Sequence, residues 1–148
     1  MAVANLIGRC NMNFGPDNPF HVAEKILKDA GDIPLLLDFH AEATSEKLAM
    51  AYFLDGRAAA VWGTHTHVQT ADETVLPKGT GYLTDLGMVG PVYSVLGVKP
   101  EQSIALFRGE LTSRFEWPAG PCRLCGAVFT IDSASGKCTS VERVTVDD

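Results

Sequence analysis

Nowhere in the chain do lysines and arginines cluster. Its 12 basic residues are scattered among 18 acidic ones, for a formal net charge of −6. Long-range attraction is therefore excluded as a means of holding duplex nucleic acid or a membrane surface. Any phosphate bound here must be attracted locally, for example by a metal ion. Long apolar runs are missing too: Ile33 to Leu37 and Ala58 to Trp62 are the most apolar stretches, and both are far too short to span a bilayer. Residues Met1 to Arg9 lack the charged-then-apolar layout of a secretory signal, so a cytoplasmic location is expected. Cysteine is scarce. Cys10, Cys122, Cys125 and Cys138 are too few and too scattered for a disulfide framework.

What remains is ordinary globular material. With 148 residues, 46% hydrophobic and 20% charged, residues 1–148 fit one domain with a sizeable core, and intrinsic disorder is excluded. No repeat or low-complexity tract divides it. Residues 2–7 read as a short buried strand, and Gly15 to Asn18 as a turn, with Asn18 as N-cap and Pro19 opening a helix. Phe20, Ala23, Ile26, Leu27 and Ala30 recur at helical spacing up to Gly31. Pro34 to Asp38 is a continuous apolar run ending in a carboxylate, as expected of a strand covered on both faces. A second helix should start near Thr44 or Ser45 and end at Gly56, burying Leu48, Ala51, Tyr52 and Phe53 or Leu54. The run Ala58 to Trp62 then reads as another strand. Two strand–helix units in succession indicate an α/β layer. Beyond residue 74 the pattern changes to short β-prone pieces: Thr74–Leu76, Gly81–Thr84, Arg114–Trp117, Cys125–Asp132 and Thr139–Val146. Ser133 to Lys137 is a hairpin loop in this reading, and the C-terminal half adds antiparallel sheet.

Of only four histidines, three follow apolar strand-like runs. His40 comes directly after Leu35 to Phe39; His65 and His67 come after Ala58 to Thr64. Loops at the carboxyl ends of strands form the ligand crevice of α/β sheets, and the pattern brings all three imidazoles to that edge. His-Thr-His spacing lets two rings project to one side of an extended segment. Imidazole suits Zn, Fe, Mn or Ni, and Asp38, Glu42 and Asp85 are near enough in sequence to ligate or to orient a ring. Taken singly, each histidine is more often a surface or satisfied core residue; three at equivalent strand ends favour a metal site. His21, in the first turn of an amphipathic helix, reads as a solvated surface residue.

Five blocks make the pattern specific: Asp38 to Lys47 (DFHAEATSEK), Leu54 to Arg57 (LDGR), Gly63 to Asp72 (GTHTHVQTAD), Leu76 to Thr80 (LPKGT) and Thr84 to Pro91 (TDLGMVGP). In this order they resemble the YmdB-type metallophosphoesterases of the calcineurin-like superfamily, from about Asn5 to the C-terminus. The resemblance implies an α-β-β-α sandwich with a dinuclear centre of Fe, Mn or Zn, and hydrolysis of small phosphodiesters such as 2′,3′-cyclic nucleotides. It implies that His40 and His65 share one ion and that His67 goes to the other. Two-metal hydrolysis activates a bridging water and clamps the phosphoryl oxygens.

The family's early aspartate, bridging carboxylate and Asn-His motif have no counterpart, so the general acid is absent. The chain is expected to lack the N-terminal half of the sandwich, to be partly occupied by metal, and to turn over little substrate alone. The alternative is a catalytically inactive metal-binding or assembly module derived from that fold. A truncated sandwich would expose a sheet edge and apolar helix faces that the lost half should cover, which predicts homo-oligomers or poor solubility. Cys122-Arg-Leu-Cys125 has the spacing of half a zinc knuckle without a second pair, and ordinary thiols are the better reading. Gly87 to Pro91 reads as a turn rather than a nucleotide loop, and Trp62 and Trp117 as core.

Overall fold

A computed structural model describes residues 1–13, 15 and 17–148. Strands β1 (Ala2–Ile7), β2 (Leu35–His40), β3 (Ala60–Thr64), β4 (Thr74–Val75) and β5 (Gly81–Leu83) form one sheet in the order β1-β2-β3-β5-β4. All neighbours run parallel except β4, which closes the edge antiparallel to β5. Helices α1 (Pro19–Ala30) and α2 (Thr44–Phe53) provide the crossovers that parallel pairing requires. α1 starts where Asn18 Oδ1 accepts the Phe20 amide at 3.0 Å, and stops at Gly31, whose φ of 59° lets its amide return to Leu27. The turn expected over residues 15–18 includes residue 16, which lies outside the described residues.

The strand period of two gives the sheet two different faces. Leu35, Leu37 and Phe39 point to the helices and join Ala23, Met50 and Leu54 in the core. Each such side chain contributes roughly 1.5–3 kcal/mol of burial free energy. Leu36, Asp38 and His40 occupy the opposite face. The second sheet lies over that face: β6 (Val89–Pro91), β7 (Cys122–Ile131) and β8 (Cys138–Asp147), antiparallel in that order. Its contacts include Trp62 with Phe129, ring centroids 5.7 Å apart, and Gly81, where a side chain would collide with Cys138 and Phe129. Between the sheets a cavity of about 620 Å³ is lined by Leu36, Trp62, Ala127, Phe129 and Ile131. The result is an α/β sandwich with one mixed sheet, consistent with the calcineurin-like fold.

Several elements differ from expectation. β5 joins the parallel sheet rather than an antiparallel one. Helix α3 (Pro100–Phe107) is additional to the expected elements, although Pro100 is a fitting first helical residue, and Val89–Pro91 is a strand rather than only a turn. Arg114–Trp117 forms no strand; Glu116 is tied to Lys99 and Gln102 instead, and Trp117 is 81% exposed rather than core. In α2, Tyr52 faces solvent, while Lys47 is buried. No helix among the described residues is long and apolar enough to cross a membrane.

Candidate metal centre

The parallel register sets the site. His40 closes β2 directly opposite Thr64, which closes β3, so the chain turns into His65, Thr66 and His67 beside the His40 ring. His65 has φ 113° and His67 φ 66°, both in left-handed space that a side chain rarely occupies. Strained backbone of this kind persists only where its surroundings hold it.

His40 and His65 meet. Their centroids are 4.9 Å apart with the rings at 81°, and His65 Nδ1 lies 3.1 Å from His40 Nε2. The outer nitrogens are engaged. Thr64 Oγ1 donates its only proton to Asp38 Oδ1 at 2.9 Å, so at 3.0 Å from His40 Nδ1 it can only accept, which puts the His40 proton on Nδ1. Asn5 Nδ2 steadies the second oxygen of Asp38 at 2.8 Å. His65 Nε2 faces Glu42 Oε2 at 3.0 Å, a carboxylate oxygen that accepts a hydrogen bond from the Nε2–H. In the neutral rings both inner nitrogens then carry a lone pair, with no proton between them. A shared cation relieves the repulsion between the two. Two nitrogens at about 2.0–2.1 Å from one ion, in adjacent positions, stand roughly 2.8–3.4 Å apart. The observed separation of 3.1 Å fits one metal ion bound by His40 and His65.

The other expected residues lie around this pair in different ways. Asp38 reaches His40 only through Thr64. Asp85 touches no imidazole: its carboxylate accepts the Thr66 amide at 3.0 Å, the Gly87 amide at 3.0 Å and Lys47 Nζ at 2.8 Å. Burial alone would raise the Asp85 carboxyl, but these donors outweigh it and hold it below the ordinary aspartate value. His67 lines a neighbouring cavity of about 350 Å³ with Gln69, Met88, Arg123 and Cys125. Among the described residues no group of three or more His, Cys, Asp or Glu is arranged to hold a metal ion. What the chain itself assembles is a two-imidazole pair with Glu42 at its rim.

Sequence reasoning missed Asn5, Thr64 as the orienting hydroxyl, and Lys47. For Asn5 and Thr64 the register was the available signal, since residues level with Asp38 and His40 on adjacent strands must sit beside them. Lys47 had a fainter one, the small Gly63 opposite it.

A family model described as "YmdB-like protein" matches residues 1–144. The chain belongs to the YmdB-like family. This YmdB-like chain is 47% identical to a "2′,3′-cyclic-nucleotide 2′-phosphodiesterase" of Bacillus subtilis (strain 168), covering 100% of this chain and 56% of that protein. It is 42% identical to a "putative phosphatase/phosphodiesterase" of Mycoplasma pneumoniae, covering 99% of this chain and 53% of that one. A crystal structure of a hypothetical protein from Thermus thermophilus superposes with a TM-score of 0.90 at 37% identity, over 99% of this chain and 57% of that chain. A novel phosphatase from Mycoplasma pneumoniae gives a TM-score of 0.90 at 38% identity, over 98% and 52%. The chain thus spans about half the length of the relatives that it matches.

Proposed function

We propose that this chain carries the His40, His65 and His67 part of a dinuclear centre in a metal-dependent phosphodiesterase, with 2′,3′-cyclic nucleotides as the substrate class. The observation that carries the reading is the pair of inner imidazole nitrogens, 3.1 Å apart with their outer nitrogens already engaged. The names of the relatives supply the reaction class. When bound, divalent Fe, Mn or Zn supplies an activated water and neutralises charge on the phosphoryl oxygens. His40 and His65 would hold one ion and His67 the other. Asn5, Asp38 and Thr64 keep the proton on His40 Nδ1, leaving Nε2 as a donor to metal. Glu42 does the same for His65 by engaging Nε2, and Asp38, Glu42 and Asp85 thus act from outside the coordination shell.

Two imidazoles bind an ion weakly without a bridging carboxylate, so the rest of the ligand set and the general acid come from outside these 148 residues in this reading. They would complete the α-β-β-α sandwich, of which this chain is the C-terminal portion. The chain alone is expected to be partly loaded and nearly inactive, and the intact protein to be a cytoplasmic homo-oligomer acting on a small diester rather than on duplex nucleic acid.

Cobalt(II) titration followed by visible absorption tests the metal reading. The parent chain should show d–d bands, and His40→Ala and His65→Ala should each abolish them while leaving the thermal melt within a few degrees. An absence of bands in the parent would sink the metal reading. Vigorous hydrolysis of a 2′,3′-cyclic nucleotide by the 148-residue chain would sink the claim that further groups are needed. The exposed apolar residues around α3 favour a second reading, an assembly module; metal-free protein that still self-associates would support it.

A further inference from the structure

We propose that the buried Lys47–Asp85 pair is a positioning device that holds the His65–Thr66–His67 segment in its strained, ligand-presenting shape; this rests on the metal reading above. Both side chains are only 1% exposed, and Lys47 Nζ lies 2.8 Å from Asp85 Oδ2. Nothing in the proposed chemistry uses the lysine. Its stem crosses β3 at Gly63, where a Cβ would lie 2.7 Å from Lys47 Cδ and would also collide with the Thr84 carbonyl. Glycine at 63 is therefore the opening through which a residue of α2 reaches the loop that follows β5.

Asp85 ties three segments together. Oδ2 takes both Lys47 and the Thr66 amide, Oδ1 takes the Gly87 amide, and the Asp85 amide is bound by Thr70 Oγ1 at 3.0 Å. Thr66 is the residue between the two left-handed histidines, so the hydrogen bond to its amide holds the backbone of the strained segment. A buried ion pair is weak evidence of stabilisation, because apolar residues of similar size often pack as well or better. Apolar residues could not accept the Thr66 amide. The carboxylate supplies that acceptor, and Lys47 supplies the charge that lets it stay ionised inside the protein.

The test uses the full chain with Lys47→Met and Asp85→Leu combined, which removes both charges and the acceptor without leaving an unpaired ion. Hydrogen exchange by NMR should show the Thr66 amide exchanging about tenfold faster or more, with Leu37 and Val61 unchanged. The His65 and His67 ring signals should shift, and cobalt(II) affinity should fall about tenfold to a hundredfold, the usual size of an outer-shell loss. If that variant does not fold, Lys47→Met with Asp85→Asn gives the same readouts with a smaller expected change. A folded variant whose Thr66 exchange matches the parent overturns the proposal. If the parent binds no cobalt(II) while Thr66 still loosens in the variant, the metal reading falls and the positioning role stands.

Discussion

Residues 35–85 and residues 100–148 treat their apolar side chains in opposite ways. In the first stretch Leu35, Leu37, Phe39, Met50, Leu54 and Leu83 are all at most 1% exposed. In the second, Leu111, Phe107 and Trp117 are 105%, 85% and 81% exposed, and Ile104 and Val146 more than half. The first stretch is buried on all sides, by its own strands and α2 together with β1 and α1, and every expected metal ligand hangs from it. The second pairs well as a hairpin but does not bury its own large side chains. The candidate site and the exposed apolar surface thus lie on different parts of the chain.

Substitutions can break that contrast or sharpen it. Phe39→Ala should have the largest effect, lowering stability by about 3–5 kcal/mol in urea unfolding, because the cavity opens in a core that cannot collapse. Lys47→Met alone should cost about 3 kcal/mol, since it strands the Asp85 carboxylate without its cation, and adding Asp85→Leu should recover most of this loss. Acid provides a smaller, graded probe. The folded-state value of Asp85 lies below that of the unfolded chain, so its contribution is fully present above the ordinary aspartate value of about 3.9. The contribution is lost as pH falls through the lower folded value, because the unfolded state takes up the proton first. Melts from pH 6 to pH 2 should therefore show a steeper acid limb for the parent than for the Lys47→Met, Asp85→Leu variant. Phe107→Ser and Trp117→Ser should change monomer stability by less than about 0.5 kcal/mol, yet reduce self-association in sedimentation velocity. A large loss of stability in these two would show that the second stretch relies on its own packing after all.

How much is legible in the sequence follows the same division. The apolar runs before Asp38 and Gly63, the Asn18-Pro19 start and the Gly31 stop are local signals, and the elements form where they lie. His40 and His65 are legible as neighbours because parallel strands of similar length end level with each other. The second half is harder. Arg114–Trp117 has strand-like composition, yet its polar groups are taken by Lys99 and Gln102 of the α3 region, a tertiary choice that no short window contains. Lys47 gives no local sign of its burial, because lysine is usually solvated; only the partner 38 residues away makes that burial possible. Asp85 is near the imidazoles in sequence, whereas in the fold it holds the backbone between them.

The left-handed torsions at His65 and His67 bear on how this chain can be engineered. Replacing a non-glycine residue in such a conformation by glycine typically relieves about 1 kcal/mol. A redesign guided by heat resistance alone would choose glycine at both positions early, gaining a tougher scaffold and deleting the imidazoles. Screens that reward melting temperature should keep those two positions fixed, since improvement by that measure leads away from the proposed metal ligands.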